Sequence, residues 1–180
     1  MLNEAQRKML LRVAREAVEA AAKNMPYAVP PSDDPALQQP AAAFVTIRMR
    51  GQLRGCIGRT QARNPLIETV AEMARAAARE DPRFQPVQMI ELPETEIEIS
   101  ILSAPQPVSD VSEIVVGTHG LIVEQGSQRG LLLPQVPAEW GWDREQFLDH
   151  TCVKAGLAPG TWRRGAKVYA FTAEVFGEEV

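Results

Sequence analysis

The residues best suited to chemistry fall in one short stretch, Arg54-Gly55-Cys56-Ile57-Gly58. In an extended strand the side chains alternate, so Arg54 and Cys56 are expected on the same face. A guanidinium beside a thiol favours the thiolate. Gly55 and Gly58 would let a substrate approach the backbone amides. Together these residues could form a nucleophile, Cys56, within an anion pocket. The competing reading makes Cys56 a small buried hydrophobe on a core strand, with Arg54 pointing along the edge.

His119 is a candidate general base for Cys56 if the fold brings them together. Alternatively it is a turn residue whose imidazole bonds the backbone. Arg54 and Arg83, with Arg59 and Arg63 nearby, could bind a phosphate or carboxylate, aided by Gly55, Gly58 and the amides near Asn64-Pro65. The glycine spacing and the Lys-Ser/Thr of a P-loop are missing. Trp140, Trp142 and Trp162 could line a groove with Phe84 or serve as core and loop anchors. His150 and Cys152 do not share a helical face, and no metal-ligand spacing is present. No metal and no cofactor are expected.

Composition narrows the function classes. The chain has 180 residues, 45% hydrophobic and 23% charged, with a net charge of −4. That is ordinary for a globular protein. The acidic balance argues against nucleic-acid partners and against an anionic membrane surface. Two distant cysteines fit a reducing, cytoplasmic setting. The N-terminus lacks the pattern of a signal peptide, and no apolar run approaches a membrane span.

The elements that must position these residues follow from periodicity. Residues 4–24 read as a helix with Met9, Leu10, Val13, Ala17 and Ala21 on its apolar stripe. Residues 25–40 hold five prolines and form an irregular connector. Phe44–Met49 and Leu53–Ile57 are strands around an Arg50-Gly51-Gln52 turn. Asn64-Pro65 opens a helix, with cap and fixed φ, that ends at Asp81-Pro82. Glu96, Glu98 and Ser100 alternate with Ile97, Ile99 and Ile101 as a half-buried strand with one acidic edge or face. A hairpin spans Gly120–Leu133, and Leu131-Leu132-Leu133 reads as a strand buried on both faces. Asp143 and Gln146 form a capping box for a helix with Phe147, Leu148, Thr151, Cys152 and Ala155 inward. Lys167–Phe176 is one closing strand. There is no βαβα rhythm, so the fold class is α+β, a mainly antiparallel sheet with packed helices and room for a small sub-lobe. The expected organisation is a single domain over 1–180: N-terminal helix 1–24, connector 25–40 and main body 41–180.

Leu53-Arg54-Gly55-Cys56-Ile57-Gly58 resembles the LRGCIG signature of the AMMECR family. The likeness continues in order through Asp81-Pro82-Arg83-Phe84, Glu98–Leu102, His119-Gly120-Leu121, Leu132–Val136, Trp142-Asp143 and Cys152–Gly156. It covers the chain from about Phe44 onward. The resemblance implies an α+β protein of the cell interior, akin to AmmeMemoRadiSam system protein A. It implies a Memo-like protein and a radical-SAM enzyme as partners, and no settled activity. Two function classes follow: an enzyme using Cys56 as nucleophile with Arg54 and His119, or a non-catalytic binding or adaptor module using the same face for a small anionic ligand or a partner's extended segment.

Overall fold

A computed structural model describes residues 1–179, and within them the fold is α+β with antiparallel sheets. The chain divides into two compact units. One comprises Met1–Ile101 and the C-terminal residues from Glu174; the other comprises Leu102–Ala173.

The first unit holds a four-stranded sheet ordered β2-β1-β3-β8. Its strands are β1 (Ala42–Met49), β2 (Gln52–Arg59), β3 (Thr95–Leu102) and β8 (Ala173–Gly177). Helices α1 (Glu4–Ala22) and α3 (Leu66–Arg79) cover one face of it. Helix α1 starts where the side chain of Asn3 accepts from the Gln6 amide and Gln6 returns the bond, a complete capping box. Its Leu10, Val13, Ala14, Ala17 and Val18 are all but fully buried against Ile67, Val70 and Ala74 of α3 and against Val45 and Ile47 of β1. Alanine at eight positions of the two buried stripes lets helix and sheet approach closely.

Two expectations change in this unit. The proline-rich connector contains a short helix, α2 (Pro35–Gln38), because Asp34 caps it by accepting from the Ala36 amide. Asn64 does not cap α3 with its side chain. Pro65 is extended, and the Leu66 amide instead donates to the Gln39 carbonyl at 2.9 Å. The connector therefore supplies the partner that the helix start needs.

The second unit carries a four-stranded sheet ordered β4-β7-β5-β6: β4 (Gln106–Pro107), β5 (Gly120–Gln125), β6 (Gln128–Leu132) and β7 (Lys167–Phe171). Helix α5 (Arg144–Lys154) packs Phe147 and Leu148 with Ile114 and Leu121, behind the expected Asp143–Gln146 capping box. A short helix, α4 (Gln135–Trp140), precedes it. Leu131, Leu132 and Leu133 are half-buried, not enclosed on both faces, because β6 is the sheet's edge strand. The closing strand is also not continuous. It breaks at Thr172, with β7 in the second sheet and β8 in the first. Alternation persists across the break, so the pattern alone conceals it.

Candidate functional site

The site is built on the β1–β2 hairpin. Arg50 and Gly51 both have positive φ, 52° and 76°, as a two-residue hairpin loop whose twist matches its strands requires. Val45 and Ile47 of β1 and Ile57 of β2 point to the helices. Alternation sends Phe44, Thr46, Cys56 and Gly58 to the other face, where Thr46 pairs with Cys56 and Phe44 with Gly58. The Thr46 hydroxyl donates to Cys56 Sγ at 3.2 Å, and the thiol is partly exposed.

The register slips by one between Ile47 and Arg48, which leaves Arg54 as the extra residue of a β-bulge. The bulge re-aims Arg54. Its Nε and Nη2 donate to the two oxygens of Glu91 at 2.9 and 3.0 Å, and Nη1 donates to the Gln85 carbonyl at 2.8 Å. Its side chain is 13% exposed. The guanidinium is thus spent on fastening β2 to the loop that follows α3. Hydrogen bonding from Arg54 lowers the Glu91 carboxyl from its ordinary value, against the effect of burial.

Both glycines are approached by the protein itself. A Cβ on Gly55 would lie 2.2 Å from the Ala77 carbonyl oxygen of α3, and one on Gly58 would lie 2.2 Å from the Phe44 ring. Their small size lets β2 seat against helix and neighbour strand.

The organising residue is Asp81, just beyond α3 and 3% exposed. Its Oδ2 accepts from the Cys56 amide at 2.9 Å and from Arg83 Nη2 at 2.8 Å. Its Oδ1 accepts from the Arg83 amide at 3.1 Å and from Arg83 Nε at 3.0 Å. The Arg83 guanidinium, with the Cys56 and Arg83 amides, holds this carboxyl well below the usual carboxylate range although burial pushes it up. Arg83 Nη2 also reaches toward the Cys56 carbonyl at 3.5 Å. The Arg83 side chain is 55% exposed and lies over the Phe84 ring at 5.5 Å.

Cys56, Arg83, Gly55 and Gly58 therefore share one neighbourhood with Arg54 at its margin. His119 belongs to the second unit, where its Nδ1 accepts from the Val115 amide at 3.0 Å. Arg59 pairs with Glu72, and Arg63 bonds Gln61. Trp140 stacks on Trp142 with centroids 6.1 Å apart, Trp142 stacks on His150 at 3.8 Å, and Trp162 lies under Arg163 at 4.3 Å. Cys152 is fully buried, and burial pushes its thiol up.

The AMMECR1 family model matches residues 11–176. The chain belongs to the AMMECR1 family. A Thermococcus gammatolerans relative is 48% identical, over 94% of this chain and 89% of its own. A Methanothermobacter thermautotrophicus relative is 43% identical, over 94% of this chain and 93% of its own. A Pyrococcus horikoshii crystal structure matches with a TM-score of 0.90 and 40% identity, covering 99% of this chain and 94% of that one. At that level of identity and coverage the α+β fold is the AMMECR1 fold. Among the described residues no helix is long and apolar enough to cross a membrane.

Sequence reasoning passed over Asp81, Glu91 and Thr46 as site residues. Asp81 looked like a helix stop. The one available signal was Arg83 two residues on, the spacing at which an aspartate can hold both the following amide and a long side chain.

Proposed function

We propose that this AMMECR1 protein is a binding module whose first unit recognises an acidic group through Arg83, held beside Cys56 by Asp81. The single observation behind this reading is the way Arg83 is held. Asp81 engages its Nε and Nη2, while Nη1 bonds no described residue and the side chain is half exposed. A guanidinium fixed along one edge presents its remaining donors with little rotamer entropy left to lose. Because Asp81 offsets much of the charge, the fork contributes geometry more than field. A carboxylate or phosphate is the group that such a planar donor edge suits. The family resemblance suggests where that group resides: on a Memo-like protein or a radical-SAM enzyme, or on a small molecule passed among them.

The test is co-purification with the Memo-like and radical-SAM proteins of the same organism, alongside NMR titration with inorganic phosphate and acetate. Arg83→Ala should lose partner retention and the anion-induced shifts around residues 81–84, while Cys56→Ser keeps both. Unchanged behaviour of Arg83→Ala would sink the reading.

A second reading, Cys56 as a nucleophile, draws support from the Thr46 hydroxyl bonded to Sγ, a contact that would hold the sulfur in one position on the sheet face. The first unit contains no histidine, both histidines lying within Leu102–Ala173. A proton acceptor within that unit would then have to be a carboxylate or a group on the substrate. Iodoacetamide labelling against pH separates the readings: a Cys56 that reacts only after denaturation ends the second one.

A further inference from the structure

A cleft of about 490 Å³ lies where the last turns of α1 and α3 meet, on the helical side of the first sheet. We propose that it binds a small phosphate monoester, with the dianion between Arg75 and Arg79 and the organic body against Met25, Pro26 and Tyr27. The volume lies in the range of small-molecule sites.

The way α1 ends builds the cleft. Asn24 is left-handed, with φ 55°. Its amide donates to the Ala21 carbonyl at 3.1 Å, and the Met25 amide donates to the Ala20 carbonyl at 2.8 Å. These two bonds close the helix, and Pro26 keeps it from resuming. Met25, Pro26 and Tyr27 are thereby turned out to line the cleft with Arg75 and Arg79. Glycine is the usual residue at a left-handed helix end. Asparagine adds a side-chain oxygen there, and that oxygen accepts from Arg79 Nη1. The same Nη1 donates to the Ala21 carbonyl at 2.9 Å. Asn24 and Ala21 both line the cleft, so the Arg79 head group is fixed at its wall.

The charge on Arg79 is not offset. Both groups that it holds are neutral, whereas Arg54 and Arg83 each face a carboxylate. Its Nε and Nη2 bond no described residue. Arg75 lies one turn earlier on the same face of α3, where Cβ atoms stand about 6 Å apart. Its ion partner is Glu80 at 3.9 Å, with both side chains more than half exposed. A pair so loose leaves Arg75 able to turn toward a ligand held at the Arg79 wall. Like charges at this spacing repel each other. An oxyanion shared between them removes the repulsion, and phosphate oxygens suit two guanidiniums.

The rest of the lining selects the ligand. No described residue lining the cleft carries a carboxylate, so its two positive charges favour a dianion over a monoanion. A phosphate monoester carries close to two negative charges at neutral pH. The Tyr27 phenol adds no charge, because burial, and then the bond from its hydroxyl to Glu16, pushes it up to about 12. Met25 is 58% exposed, an apolar side chain left in water beside Pro26 and the partly exposed Tyr27. An organic group on the phosphate would cover it.

The experiment is NMR titration of the isotope-labelled full chain at about pH 7.5, where the ester is dianionic. The probes are phenyl phosphate, phenyl sulfate and inorganic phosphate. Phenyl phosphate should saturably shift the amides of Asn24, Met25 and Tyr27 and the Arg79 Nε signal, with a dissociation constant on the order of 1 mM. Phenyl sulfate, of similar shape with one charge, and inorganic phosphate, which lacks the ring, should each bind several-fold more weakly. Arg75→Gln alters an exposed side chain and should weaken phenyl phosphate by about fivefold at an unchanged unfolding midpoint. Arg79→Lys keeps a charge and a donor for the Ala21 carbonyl but loses the fork, and should weaken it by about tenfold. Absence of saturable shifts at Asn24, Met25 and Tyr27 overturns the site. Shifts confined to residues 81–84 also overturn it, and leave the Arg83 reading standing. Phenyl sulfate binding as tightly as phenyl phosphate overturns the dianion assignment, and inorganic phosphate binding as tightly overturns the organic body. Wild-type affinity in both variants overturns the roles given to the arginines.

Discussion

Replacing Asp81 with alanine tests the physical account of the candidate site most directly. The carboxylate is 3% exposed and accepts four hydrogen bonds from Cys56 and Arg83. Truncation leaves the Cys56 amide without its acceptor, which costs about 1–3 kcal/mol for a group removed from water. The Arg83 contribution is discounted, because a side chain 55% exposed regains water readily; about 0.5–1 kcal/mol is appropriate there. The sum is roughly 1.5–4 kcal/mol at pH 7, read as a lowered urea midpoint at unchanged m-value. The pH dependence carries the sharper signature. Asp81 is held below its ordinary value of 3.8 in the folded state. Its stabilisation is therefore complete above the unfolded value and is lost as pH falls through the folded one. The gap between wild type and Asp81→Ala should be flat from about pH 7 to 5 and narrow below about pH 4. A gap under about 0.5 kcal/mol at pH 7, or one that does not narrow in acid, would refute the reasoning.

Gly55→Ala should destabilise by about 1–3 kcal/mol in thermal or urea unfolding, because the added methyl meets the Ala77 carbonyl, a backbone atom with little freedom to move. A double-mutant cycle of Arg54→Ala and Glu91→Ala should give a coupling of about 1–2 kcal/mol, since the bidentate pair is 13% and 21% exposed; a value near zero would show that the pair does not fasten β2 to its loop. Iodoacetamide should label native protein at Cys56 and leave Cys152, which is fully buried, until the chain unfolds; peptide mapping of time points distinguishes them. Asn3→Ala should cost about 1 kcal/mol through the lost capping box of α1, measured by unfolding midpoint.

The parts of the fold governed by local rules were legible in the chain. Gly51 in the Arg50-Gly51-Gln52 turn announced the hairpin, and Asp143 with Gln146 announced α5, because turn and cap chemistry act over two to four residues. The α1 stripe was legible because burial repeats with the helix period. What escaped involved long-range partners. Nothing beside Asp81 marks it as the acceptor for an amide 25 residues earlier, nor Glu91 as the counter-ion for an arginine 37 residues earlier. The bulge at Arg54 also defeated the rule of two that put Arg54 and Cys56 in one cluster. The arginine that shares Asp81 with Cys56 is Arg83, already a candidate anion binder but on separate grounds. The break at Thr172 escaped because a chain can pass from one sheet to another without interrupting its alternation.

The Asp81–Arg83 pair has a consequence for the sheet as a whole. β2 is the outermost strand of its sheet, and the amide and carbonyl of Cys56 face away from β1. Asp81 offers that margin an acceptor, and Arg83 brings a donor toward it, where a further strand would offer its own. Two side chains thus imitate one residue of a missing strand and deny the position to a stray extended chain. Such margins are where folded proteins recruit each other into aggregates. Loss of the carboxylate should therefore leave the protein less soluble while still folded, an effect separate from its stability.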